Sequence, residues 1–438
     1  MKKLLLAFMI ALGGLFASAC GRSSGPLVIW VGSEVQAFYT QKMEEYIEYY
    51  NANNDEPFPH RVEVRAADTG TAAGVFLNDI DAGPDILTVA HDNLGRLISG
   101  AGAIRPIQSE ALLAQIQDQN PDTFLNVIRA ERDGVTYTFG VPYEAQSLVL
   151  YYNTAHLSEE DVLTWEGIWA KAEELNTRAL AITGTDGFNN SFLVLAQFAD
   201  TGEFVTRLYE EGQLENTELV NDAAISVMRW GQRFFGDTHG ARQASDSGWE
   251  VDLANGDVLS VISGAWHFRG AQDALGDDLG IALLPQFTLT EEDVYGDIAP
   301  GTVMQSGTFT DTKMFVINRH SDKVEYLEDI LLFLTHKDVQ EESFLAANTL
   351  PAYKNAVEEF EGMDGDDLAT LLTTVQLEMF QHGRPQPFGV QARFNTYYYQ
   401  RQAPERLYAA LRNTDGDFTD VEALIEELEA IERIWRNE

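Results

Sequence analysis

A single cysteine stands among 438 residues, at position 20, so no disulfide can form within the chain. The same scarcity excludes a cluster of thiolate metal ligands. The eight histidines, at positions 60, 91, 156, 239, 267, 320, 336 and 382, form neither an HExxH motif nor a His-x-His pair. No glycine-rich loop ending in lysine follows a strand pattern, no Gly-x-Ser-x-Gly elbow occurs, and no EF-hand loop is present. Positive charge is scarce as well. Against 69 Asp and Glu stand 29 Lys and Arg, a net charge of -40. That surplus argues against nucleic acid and polyanionic ligands and suits a neutral or cationic small ligand. The acid is dispersed, as in Glu44–Glu45, Asp277–Asp278, Glu291–Asp293 and Asp364–Asp367, and reads as solvated surface. Beyond the N-terminus, no run is apolar enough to span a bilayer.

What is present begins at that terminus. Lys2 and Lys3 precede the apolar run Leu4 to Phe16, and the small residues Ala17, Ser18 and Ala19 lead into Cys20. The run is too short and wrongly flanked for a membrane span, so residues 1–19 are expected to be a cleaved signal peptide. Its end resembles a bacterial lipobox, with Ala17 where leucine is usual. The resemblance implies lipidation of Cys20 and a chain held outside the cytoplasmic membrane by lipid, with residues 20–26 as tether. Cleavage by an ordinary signal peptidase after Ala19 is the alternative.

A chain this long, 45% hydrophobic, can bury a sizeable core and is expected to form two domains. Leu27–Trp30, Val62–Val64 and Asp85–Val89 read as strands, and a helical face of Phe38, Tyr39, Met43, Tyr46, Ile47 and Tyr50 follows the first. Strand, helix and strand in alternation indicate a parallel sheet covered by helices, an α/β fold. Leu148–Tyr152, Leu259–Ile262, Ile281–Leu284 and Met314–Ile317 are further strand patterns. Ser158 with Asp161 resembles a capping box ahead of a helix through Trp165, Ile168, Trp169, Ala172 and Leu175. Thr419 with Glu422 opens a last amphipathic helix reaching Trp435. Trp165, Trp169 and Trp435 sit on apolar faces and are expected in the core.

Five segments, in order, resemble the family 1 extracellular solute-binding proteins of ABC transporters. They are Leu27–Trp30 with Gly32-Ser33-Glu34, then Gly83–Asp92, then Val141–Asn153, then Leu253–Trp266, and finally Gly383-Arg384-Pro385-Gln386-Pro387. Leu284-Pro285, Gly301–Gly307 and Phe315–Ile317 resemble the family's return to its first domain. The resemblance implies a two-lobed periplasmic-binding-protein-like fold of type II with the ligand cleft between lobes. Lobe 1 is expected from 27–142 plus 301–347, and lobe 2 from 143–300 plus 348–438. It also implies a receptor that delivers a neutral sugar or short oligosaccharide to ABC permease subunits driven by a cytoplasmic ATPase. No cofactor and no catalytic step are expected, and a monomer is.

The resemblance points to Trp30, Glu34, Asp92, Glu144 and Trp266 as ligand contacts, with Tyr397 in the aromatic group after the Gly383 turn. Trp249, in the polar stretch Asp246–Glu250, joins them as a further aromatic candidate. An indole offers pyranose C–H groups an apolar face, and a carboxylate accepts bonds from vicinal hydroxyls. His91 and His267 are expected beside the ligand rather than on it. Val89 stands where the maltodextrin binders carry a stacking tryptophan, which argues against a long glucan. Two other readings stay open: the same fold with a polyol or phosphodiester cargo, and a lipid-anchored glycan-processing enzyme.

Overall fold

The computed structural model describes residues 25–99, 102–132, 134–207, 218–243, 248–354, 356, 368–386, 402–413 and 418–436. Cys20 and Tyr397 lie outside them.

The first sheet is built on Leu27–Val31, flanked in parallel by Val62–Ala66 and Ile86–Ala90. Helices Gln36–Asn53 and Thr69–Asn78 connect the three strands. Ile86–Ala90 is almost wholly buried, as a strand covered on both faces must be. Its other neighbour is Thr308–Asn318, eleven buried residues running antiparallel to it. This long strand also pairs with Ile104–Arg105 and Gly140–Gln146, and its first residues pair in parallel with Gly383–Pro385. The second sheet runs in the order Ala241–Gln243, Arg178–Ile182, Val258–Ser263, Val149–Asn153, Leu279–Ala282. Helices cover both of its faces. Trp165, Trp230, Phe234 and Trp435 fill one side, and Tyr151, Trp249, Phe268 and Leu372 the other.

Each sheet therefore has its own core, and the chain crosses between them. The first passage needs only Ser147 and Leu148, both fully buried, between Gly140–Gln146 and Val149–Asn153. The return runs through Ser306 and Gly307, between Val303–Gln305 and Thr308–Asn318. A Cβ on Gly307 would stand 2.0 Å from the Leu195 carbonyl oxygen, so only glycine lets this passage lie so close. The Leu148 amide donates to Thr308 Oγ1 at 3.0 Å and ties the two passages together. Val303–Gln305 pairs with Gln197–Phe198 and Gln286–Thr288, beside the second core. The resemblance implies that 301–347 belong to one lobe and 348–438 to the other. The structure instead pairs Val303–Gln305 on the second side and Gly383–Pro385 on the first. The latter strand seals the edge that Thr308–Thr310 leaves open where it enters the sheet.

Candidate functional site

Five strands end at one cleft of about 740 Å³. Beyond Leu27–Val31 come Ser33 and Glu34. Beyond Val62–Ala66 come Asp68 to Thr71, and beyond Ile86–Ala90 come Asp92, Asn93 and Arg96. From the second sheet, the turn after Arg178–Ile182 brings Asp186, Phe188 and Asn189, and the turn after Val258–Ser263 brings Trp266 and His267. Loops at the carboxyl ends of parallel strands are the usual place for ligands in such sheets. The floor consists of the crossing strands themselves, with Gln146, Asp311 and Lys313, joined by Gln386.

The aromatic wall belongs to the second sheet. Trp266 is half-buried and meets Phe188 edge to face, with centroids 5.9 Å apart. An added Cβ on Gly264 would lie 1.9 Å from the Trp266 ring, so the glycine lets the indole fold back over its own turn. Trp249, at the start of helix Trp249–Asn255, also lines the cleft but is only 2% exposed and packs against His267. His267 lies within hydrogen-bonding distance of Ser263 Oγ, at 2.7 Å.

Glu34, Asp92, Trp249 and Trp266 thus come together at one cleft. Trp30 and Glu144 do not join its lining. Trp30 is half-buried against the first core, because the chain reaches the cleft only at Ser33, three residues later. Glu144 is 2% exposed; its Oε1 lies 2.9 Å from Lys313 Nζ, and its Oε2 has no hydrogen-bond partner. Val89 is fully buried in the first core.

Two charged groups organise the floor. Lys313 is paired with Glu144 and with Glu34, the latter at 3.1 Å. Burial opposes its charge, but the two carboxylates hold Lys313 above the ordinary lysine range. Burial would raise Glu34 too, yet Lys313 keeps it below the usual carboxylate range. Glu144, sealed beneath, is pushed up by burial, which Lys313 opposes only in part. The second group is His91, fully buried, with Nδ1 on the Asp311 carboxylate and Nε2 3.0 Å from the Gln386 carbonyl oxygen. Acceptors facing both ring nitrogens favour the doubly protonated imidazolium. Burial disfavours that charge, but Asp311 outweighs it and His91 lies above the ordinary histidine range. Gln386 Nε2 donates to the other Asp311 oxygen at 3.0 Å.

A raised histidine stabilises the fold fully below the unfolded imidazole range, near pH 6.5, and this contribution is lost as pH climbs through the folded value. The melting temperature is therefore expected to fall above neutrality, and Asp311→Asn is expected to flatten that slope. Thermal melts from pH 6 to 9 on both proteins check it; equal slopes would contradict the assignment.

Sequence reasoning did not single out Asp68, Asp186, Phe188, Asn189, Arg96, Asp311 or Lys313. Asp68 caps helix Thr69–Asn78, accepting from the Thr71 amide at 2.9 Å. The polar, glycine-bearing turn Thr183–Asn190 after a buried strand was the available signal. Among the described residues, no group of three or more His, Cys, Asp or Glu is placed to hold a metal, and no helix is long and apolar enough to cross a membrane.

Two sheets with separate cores, joined by short passages and enclosing a polar and aromatic cleft, define a two-lobed ligand-binding protein. Residues 45–369 match the bacterial extracellular solute-binding proteins, and the chain belongs to that family. Solved structures share the fold. A maltodextrin-binding protein of L. casei BL23, without ligand, is 20% identical with a TM-score of 0.69, covering 94% of this chain and 99% of that one. The GacH receptor of Streptomyces glaucescens, solved unliganded and with acarbose, is 16% identical with a TM-score of 0.71 over the same shares. MalX from Streptococcus pneumoniae, in complex with maltopentaose, is 16% identical with a TM-score of 0.68, over 93% of this chain and 99% of that one. No curated protein matches the sequence.

Proposed function

We propose that the protein is an extracytoplasmic carbohydrate receptor that delivers a sugar or short oligosaccharide to the permease subunits of an ABC importer. The observation that carries this reading is the half-buried Trp266 indole in one cleft with the carboxylates Glu34 and Asp92. A pyranose has the matching surfaces, apolar C–H faces and hydroxyl edges. The sugars bound by MalX and by the GacH receptor support the same class.

The cations of the cleft do not favour an anionic cargo. Lys313 is held by two carboxylates, and Arg96 donates to Asn93 beside Asp92. A phosphodiester would have to displace these partners. Ligand contact is assigned to Glu34, Asp92, Trp249 and Trp266, with Tyr397 as a further candidate from the sequence. Binding between two lobes and closure over the ligand need no covalent step, so no enzymatic activity is part of this reading. The lobes divide along the passages at 147–148 and 306–307. Lipid on Cys20 would keep the receptor, as a monomer, at the outer face of the membrane near its permease.

Thermal-shift measurements against mono- and oligosaccharides, polyols and phosphodiesters test the class. A ligand that binds only the folded state at a hundred times its Kd adds about 2.7 kcal/mol of stability. A shift of several degrees with one saccharide class, the saccharide recovered unchanged, is the expected result. A shift with phosphodiesters alone, or hydrolysis of the saccharide, would overturn it.

A further inference from the structure

Glu34 does not reach the cleft by itself. Its carboxylate folds back across Gly32, so that a Cβ there would stand 2.2 Å from Glu34 Oε1. From below, Lys313 Nζ meets the same oxygen at 3.1 Å and Glu144 Oε1 at 2.9 Å. Lys313 and Glu144 are register partners on the two strands that lead into the passages between lobes. Both side chains are sealed, 3% and 2% exposed, whereas Glu34 keeps 28% of its side-chain surface open. The arrangement is a stack: a buried carboxylate, a buried ammonium and a carboxylate at the cleft surface.

We propose that Lys313 and Gly32 are positioning residues that hold Glu34 toward the ligand, and that Glu144 is the buried counter-charge of Lys313 rather than a ligand contact. Lys313 has two carboxylate partners, Glu144 beneath it and Glu34 at the cleft. Glu144 alone would neutralise it, and the second bond fixes the loop carboxylate in one place before ligand arrives. Less side-chain freedom is then left to lose on binding. The charge environment agrees, since Lys313 keeps Glu34 ionised. Asp311, Tyr39 and Tyr143 face the same stack, and both tyrosines are buried and pushed up by that burial, next to Glu144.

The inference rests on the saccharide reading for its ligand but not for its geometry, and the test separates the two. Three variants of the full chain are compared with wild type: Gly32→Ala, the pair Lys313→Met with Glu144→Gln, and Glu34→Gln. Gly32→Ala moves only the flexible end of Glu34. The paired substitution removes the ammonium without leaving a buried charge alone. The Glu34 carboxyl carbon, identified by its absence in Glu34→Gln, is titrated by NMR without ligand. Maltopentaose is the calorimetric probe. The expected result is a Glu34 titration that moves upward in both Gly32→Ala and the paired variant, with affinity falling about tenfold in each. Adding Glu34→Gln to either should then change affinity less than about twofold. An unmoved Glu34 titration in both variants would overturn the proposal whatever the probe does. If wild type ignores maltopentaose, the saccharide reading fails on that probe, and the titration still decides the roles of Lys313 and Gly32.

Discussion

Trp266→Ala is expected to weaken saccharide binding by about thirty- to a hundredfold, roughly 2–3 kcal/mol, while leaving the unliganded fold nearly unchanged. The asymmetry follows from where the ring lies. It is half-buried, in edge-to-face contact with Phe188 and seated over Gly264, and it lines the cleft. Its turn is held independently of the indole, since Tyr151 Oη donates to the Gly264 carbonyl at 2.9 Å. Removing the ring therefore removes a stacking surface without opening the core, and the expected loss of folding stability is below about 1 kcal/mol. Calorimetry on both proteins, with a thermal melt of each, measures the two quantities. Unchanged affinity would place the ligand elsewhere. An unfolded variant would make Trp266 a core residue.

The second large effect concerns stability rather than affinity. Lys313→Met alone leaves Glu144 sealed in the first lobe with no cation, and breaking such a pair costs about 3–5 kcal/mol. Glu144 can relieve part of the loss by taking a proton, which burial already favours. The damage should therefore shrink as pH falls, because protonation removes the unpaired charge. The paired variant Lys313→Met/Glu144→Gln should recover most of the stability at neutral pH. Urea unfolding of wild type, single and double variants at pH 5 and pH 8 reads this directly. A double variant as unstable as the single one would show that the ammonium does more than balance Glu144.

The strands that were legible are those dominated by aliphatic and β-branched residues. Leu27–Val31, Ile86–Ala90, Val149–Asn153 and Val258–Ser263 all lie where their valine, isoleucine and leucine content puts them. Thr308–Asn318 was legible only at its apolar end, from Met314 to Ile317. Its first half reads as a loop because it carries Thr308, Thr310, Asp311, Thr312 and Lys313. Those polar groups are buried by partners distant in sequence, His91, Glu34 and Glu144. The Ser158–Asp161 signal was real but misplaced: it closes a turn, and Thr164 Oγ1 caps the helix by accepting from Gly167. Trp165 and Trp435 are buried as their helical spacing requires, and Trp169 is partly buried against the same core.

The cleft was legible in half. Asp92 and Trp266 follow strands and reach it, since a residue just past a strand end is exposed to whatever the strand ends face. Trp30 fails by the same logic, because it is still within its strand and packs on the flank. Glu144 was chosen from the resemblance of the segment Val141–Asn153 to the family. Only the cross-strand register shows Lys313 opposite it, and no sequence spacing encodes that pairing between two positions so far apart in the chain.

Calorimetric titration of the unliganded protein with maltopentaose and a panel of shorter neutral sugars, paired with small-angle scattering before and after, tests the central claim most directly. The account predicts saturable one-to-one binding of one neutral saccharide class with a smaller radius of gyration when bound, as the lobes close over Trp266 and Glu34. No binding by any neutral saccharide, together with tight binding of a charged solute that leaves Trp266→Ala unaffected, would contradict it.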